Sequence, residues 1–144
     1  MKQKKTLARV LVVEDNATIS SLMKRALAMS LIDATIATSA EEAFAQLDDK
    51  IFDLILLDID LPTISGIEIC RKLKADERLK SIPVIFVTGE TEIAYKEEAK
   101  RLGALDYIEK PFVVMDFLSR VMGHLNLKKN GVRDVRQSLP IPSA

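Results

Sequence analysis

Five short apolar runs, set apart by longer amphipathic stretches, organise this chain. Val10-Leu11-Val12-Val13, Leu54-Ile55-Leu56-Leu57 and Val84-Ile85-Phe86-Val87 are continuous and rich in branched side chains, the pattern of strands buried on both faces. They predict strands over Arg9 to Val13, Asp53 to Leu57 and Pro83 to Val87. A fourth run predicts a strand over Ala104 to Ile108, and a weaker one a strand over Ala34 to Ala37. Between them the apolar residues recur at helical spacing. Ile19, Leu22, Met23, Ala26 and Leu27 predict a helix from Asn16 to about Met29. Met115, Leu118, Val121, Met122 and Leu125 predict another from Phe112 to about Leu125. Ser39 with Glu42, and Ser65 with Glu68, have the spacing of capping boxes and predict two further helix starts. A stretch from about Thr91 to Leu102, ended by Gly103, predicts a fourth helix with many charges and few strong apolar residues, hence weak packing on one side.

Strict alternation of strand and helix predicts an α/β fold, a doubly wound parallel sheet with helices on both faces. Right-handed crossovers bring the carboxyl ends of such strands to one edge, where ligands bind. The residues that close the runs therefore matter. They are Glu14-Asp15, Asp58, Thr88 and Lys110. Three carboxylates at one edge repel one another unless a cation offsets them. Oxygen donors of this kind suit Mg²⁺, and Lys110 adds positive charge. A carboxylate beside a divalent cation and an ammonium can attack phosphorus and form an aspartyl-phosphate, with Mg²⁺, Lys110 and the Thr88 hydroxyl holding the phosphoryl oxygens.

Composition narrows the setting. The 144 residues, 48% of them apolar, suffice for one globular domain and little more. Lys+Arg is 21 and Asp+Glu is 21, so no net charge draws the chain to nucleic acid or to a membrane surface. Cys70 lies in a helical pattern and reads as a small buried residue; a single cysteine forms no internal disulfide and fits a reducing compartment. No apolar run approaches the roughly 20 residues of a membrane span, and Met1-Lys2-Gln3-Lys4-Lys5 leads into a short strand rather than a secretion signal. The expected location is the cytoplasm. The domain reading is a basic extension over 1–6, one domain over 7–127 and a tail or linker over 128–144, in which Leu139-Pro140-Ile141-Pro142 is expected to be extended and Lys128, Lys129, Arg133 and Arg136 to be solvated.

Four motifs, Val12-Val13-Glu14-Asp15-Asn16, Leu56-Leu57-Asp58-Ile59-Asp60-Leu61-Pro62 with Gly66, Val87-Thr88-Gly89, and Asp106-Tyr107-Ile108-Glu109-Lys110-Pro111-Phe112, in that order, resemble the receiver domain of two-component response regulators over residues 7 to 127. The resemblance implies a flavodoxin-like sheet of order 2-1-3-4-5 with five helices. It implies that Asp58 accepts a phosphoryl group, that Asp15 binds Mg²⁺ directly and Glu14 through water, and that Asp60 offers its backbone carbonyl to the metal. Thr88 resembles the switch hydroxyl, Tyr107 the switch aromatic, and Lys110 the lysine that bridges acceptor and phosphate, with a cis bond to Pro111. Glu14 stands where Asp is common and Gly89 where Ala is frequent. Asp60 and Glu90 add negative charge at the mouth of the site, where they are expected to slow anionic phosphodonors or tune dephosphorylation.

The implied function is a phosphorylation switch rather than a metabolic enzyme. The donor is a sensor histidine kinase or histidine phosphotransfer protein, and the readout is the face of the fourth helix, fifth strand and fifth helix toward a downstream protein. Phosphorylation-dependent dimerisation is compatible with the sequence. No output motif follows residue 127, which fits a stand-alone receiver or the receiver portion of a longer regulator. Each residue also has a plainer reading: Asp58 as a loop acid, Glu14-Asp15 as a helix cap, Thr88 as the cap of the fourth helix, Tyr107 as core packing and Lys110 as a solvated charge. His124 is expected late in the fifth helix, as a surface residue or one at the carboxyl end of that helix. Asp58-Ile59-Asp60 also resembles the paired aspartates of haloacid-dehalogenase-type phosphatases, but Pro62 stands where those need Thr or Val. The Glu14-Asp15-Asn16 turn has no glycines for a dinucleotide.

Overall fold

The computed structural model describes residues 6–125. The expectations for the tail beyond residue 127, and for most of the basic N-terminal extension, fall outside them. Ten elements alternate: β1 (Ala8–Val13), α1 (Ala17–Met29), β2 (Ile32–Ala37), α2 (Ala40–Asp49), β3 (Leu54–Leu57), α3 (Gly66–Ala75), β4 (Val84–Thr88), α4 (Ile93–Arg101), β5 (Asp106–Glu109) and α5 (Val114–Leu125). All strand pairs are parallel and the sheet order is β2-β1-β3-β4-β5, the order expected.

Period two along each central strand divides the core in two. Val10 and Val12, Leu54 and Leu56, and Ile85 and Val87 face one cluster, completed by Met23 and Leu27 of α1 and by Phe117 and Val121 of α5. Leu11 and Val13, Ile55 and Leu57, and Val84 and Phe86 face the other, completed by residues of α2, α3 and α4. Because both faces are covered, β1, β3 and β4 need apolar side chains at nearly every position, which is why their runs are continuous. Removing one such side chain, as in Leu56→Ala, costs about 2–5 kcal/mol.

The helix starts are set by side chains. Asn16 Oδ1 accepts the Ile19 N–H at 3.0 Å, and Ser39 Oγ and Ser65 Oγ accept the N–H groups of Glu42 and Glu68 at 3.2 and 3.3 Å. The reciprocal half of each capping box differs from expectation. Glu42 reaches back to the Thr38 N–H at 2.7 Å, one residue earlier, and Glu68 pairs forward with Arg71 instead. Three further differences concern the edge of the sheet. β5 begins at Asp106 rather than Ala104, because Ala104 N–H closes the end of α4 on Ala99 O and Gly103 turns there with φ 89. α4 has no side-chain cap and one buried residue, Ala99, so its start recedes to Ile93. On α5, Phe117 occupies the buried face and Met115, two residues before it and so on the far side of the helix, is 70% exposed.

Candidate functional site

Register decides what meets at the carboxyl edge. Val13 is level with Leu57, Leu57 with Phe86, and Thr88 with Glu109. The residues that follow, Glu14, Asp58 and Lys110, therefore emerge together with Thr88. One carboxylate oxygen from each of Glu14, Asp15 and Asp58 lies within 4.8 Å of the others. Glu14 and Asp58 are buried, at 1% and 4% exposure, and Asp15 is open to solvent.

Lys110 ties the buried pair together. Its ammonium donates to Glu14 Oε1 at 2.5 Å and to Asp58 Oδ2 at 3.0 Å. Asp58 Oδ1 accepts the Asp60 N–H at 3.2 Å, and Glu14 Oε2 accepts the Asn16 N–H at 3.0 Å. Burial pushes the Glu14 carboxyl above its usual range, the bonds from Lys110 and Asn16 offset part of this, and the charge of Asp58 adds to it. Burial works against the Lys110 ammonium too, but its bonds to Glu14 and Asp58 outweigh that and hold its pKa above the ordinary value. Lys110 therefore stays charged. The Lys110–Pro111 bond is cis, as the resemblance implied.

Three carboxylates against one ammonium leave negative charge uncompensated in a half-buried pocket. The donors are all hard oxygens, with no thiolate or imidazole among the clustered groups. That chemistry fits a hard divalent cation such as Mg²⁺.

The loop after β3 is shaped around Asp58. Gly66 N–H bonds Ile59 O at 2.8 Å, and a Cβ on Gly66 would lie 1.9 Å from Asp58 O. The fully buried Thr88 hydroxyl accepts the Glu90 N–H at 3.3 Å, and the Tyr107 hydroxyl donates to Glu90 O at 2.7 Å. Both switch candidates thus hold the backbone of one residue. Tyr107 is half-buried with its ring 6.1 Å from that of Phe86, and burial, then Glu90, Glu109 and Asp60, push its phenol up to about 12, so it remains a donor. A hydrogen bond with Asp60, together with burial, raises the Glu90 carboxyl.

Two polar groupings have no counterpart in the sequence reading. Asp106 on β5 accepts Arg120 Nε at 3.0 Å, Arg120 Nη2 at 2.5 Å and pairs with His124 Nε2 at 3.1 Å. His124 is thus half-buried and engaged rather than a free surface residue. Arg71 on α3 joins Glu68 at 2.8 Å and Glu98 of α4 at 2.9 Å. A spacing of four between Arg120 and His124 marks one helix face, but nothing in the sequence marks the strand residue opposite.

Fold and site together define a receiver. The family model for the response regulator receiver domain matches residues 10–122, and the chain belongs to that family. It is 39% identical over 112 residues to the phosphate regulon transcriptional regulatory protein PhoB of Pseudomonas aeruginosa, a match spanning 78% of this chain and 49% of that one. A CheY-like response regulator receiver domain protein from Methanospirillum hungatei superposes with TM-score 0.77 at 30% identity, covering 83% of this chain and 94% of that one. The Mn²⁺-bound form of response regulator Rcp1 does so with TM-score 0.69 at 27% identity, covering 81% and 90%. The chain spans about half the length of the curated relatives it matches. Among the described residues no helix is long and apolar enough to cross a membrane.

Proposed function

We propose that this chain is a phosphorylation switch in which Asp58 is the acceptor. One observation carries the reading: Lys110 bridges buried Glu14 and Asp58, and their carboxylates cluster with that of Asp15. Asp15 and Asp58 would hold Mg²⁺ directly, Glu14 through water, and Asp60 through its backbone carbonyl. When bound, the ion neutralises the acidic pocket and draws the phosphoryl oxygens to it. That the similar response regulator Rcp1 has a Mn²⁺-bound form supports a divalent ion as ligand.

An Asp58 carboxylate oxygen attacks phosphorus as the P–N bond to the donor histidine breaks, and that electron pair returns to the imidazole. Lys110 keeps its charge against the transferred group. The Thr88 hydroxyl, leaving the Glu90 N–H, donates to a phosphoryl oxygen. Later, water attacks the same phosphorus, inorganic phosphate leaves and the Asp58 carboxylate returns. Asp60 and Glu90 add negative charge at the mouth of the site and slow anionic donors or tune dephosphorylation.

Because Thr88 and Tyr107 grip the two sides of the Glu90 backbone, movement of Thr88 changes the footing of Tyr107 and the start of α4. The signal then passes to a protein target on the face of α4, β5 and α5, without direct contact with nucleic acid by this domain, taken as residues 7–127 and cytoplasmic. The donor is a sensor histidine kinase or a histidine phosphotransfer protein, and dimerisation on phosphorylation belongs to the same face.

Intact-protein mass after incubation with acetyl phosphate tests this. The expected result is a Mg²⁺-dependent gain of one phosphoryl group that is absent in Asp58→Asn. No gain with acetyl phosphate or with a phosphorylated histidine protein would end the proposal.

A further inference from the structure

Tyr107 is enclosed on three sides, and one of them is a residue with no place in the phosphoryl chemistry. Its ring meets Phe86 on the core side and its hydroxyl meets Glu90 O. Over the ring, 5.9 Å from its centroid, stands the ammonium of Lys96. Lys96 belongs to α4, and the same ammonium makes a close ion pair with Glu109 on β5, two residues beyond Tyr107. One side chain thus crosses from the least buried helix to the edge strand and lies over the aromatic on the way.

Charge makes this more than cover. An ammonium within about 6 Å of an aromatic face is attracted by the ring's negative surface. Glu109 holds the ammonium in place, and α4 has little apolar anchorage of its own, with Ala99 its one buried residue. Rotation of Tyr107 outward has to break the Glu90 bond and also move Lys96 aside. Conversely, displacement of α4 carries Lys96 off the ring and frees it.

We propose that Lys96 is a positioning residue for the switch: clamped between Glu109 and the Tyr107 ring, its ammonium holds Tyr107 in the inward orientation and makes that orientation depend on the placement of α4. This rests on the reading of Tyr107 as the switch aromatic.

The test is the Tyr107 side-chain rotamer in the unphosphorylated full chain, read by NMR from three-bond couplings between Cγ and the backbone nitrogen and carbonyl carbon. Lys96→Met keeps the reach and the apolar cover and removes the charge. It is expected to raise the outward-to-inward ratio about two- to fivefold, the scale of one exposed cation–π contact. Lys96→Arg is expected to keep the wild-type ratio, and Glu109→Gln to move it in the direction of Lys96→Met. Raising NaCl to about 1 M, where screening acts within about 3 Å, is expected to shift wild type toward Lys96→Met and leave Lys96→Met unchanged. A wild-type ratio in Lys96→Met, or a wild-type ratio that ignores salt, overturns the proposal. Failure of Asp58 to accept a phosphoryl group would instead overturn the switch reading and leave the clamp measured in its own right.

Discussion

A Cβ at Gly66 would lie 1.9 Å from the carbonyl oxygen of Asp58 and 2.8 Å from its carbonyl carbon, both backbone atoms that cannot step aside. Gly66→Ala is therefore expected to push the loop off β3 and to cost about 1–3 kcal/mol or more, seen as a lower urea midpoint. The same displacement falls on Asp58, the proposed acceptor, so its phosphorylation should slow along with it. A stable variant with normal phosphorylation would show that the loop can relax elsewhere. Single residues were also where the sequence was most readable. Asp58 and Glu14 come directly after apolar runs and Lys110 follows one two residues on, and a run closed by charge marks the end of a strand. Burial of Asp58 follows from its place at the end of the central strand. The tilt of a side chain across the sheet is another matter. That Lys96 would reach Glu109 over Tyr107, or that Asp106 would gather Arg120 and His124, depends on helix placement, which no local pattern encodes.

Among the elements, those with two covered faces were legible and the edge was not. β1, β3 and β4 matched their runs within a residue, because a strand packed on both sides leaves no choice of side chain. β5, half-buried at Asp106 and Tyr107, carries a mixed pattern, and Ala104-Leu105, in the turn between α4 and β5, extends its apolar run toward the helix. β5 and α5 are joined by charge as well as by the packing of Ile108 in the same core cluster as Phe117 and Val121. Burial disfavours the Asp106 carboxylate, yet its bonds from Arg120 and His124 prevail and its pKa falls below the ordinary 3.8. A depressed carboxylate pKa gives stability that is present above the unfolded value and lost as pH drops through the folded one. Arg120→Ala is expected to cost about 1 kcal/mol near neutral pH. The gap between it and wild type should close below about pH 4. Thermal melts across that range check this, and a gap that persists at low pH would assign the loss to packing of the Arg120 stem.

At the scale of the whole molecule, the acidic site works against the fold that builds it. Glu14 is buried with a raised pKa, and two more carboxylates lie within 4.8 Å of it. A divalent cation that binds only the folded chain should offset this repulsion. At about tenfold excess of free Mg²⁺ over its dissociation constant the gain is about 1.4 kcal/mol. The melting temperature is then expected to rise by about 3–8 °C, to fall back with a chelator, and to respond weakly in Asp15→Asn. An equal response in that variant would place the ion elsewhere.

Glu14 and Lys110, which meet at 2.5 Å, stand 96 positions apart in the chain. During synthesis Asp58 leaves the ribosome well before the lysine that completes its surroundings, and β5, the edge strand that ends beside that lysine, is the last of the described strands to be made. A nascent or prematurely ended copy lacking Lys110 has Asp58, the proposed acceptor, without the ammonium that pairs with it. Under the proposed switch such a copy would take up no phosphoryl group, so the site is complete only once chain far beyond Asp58 has been made.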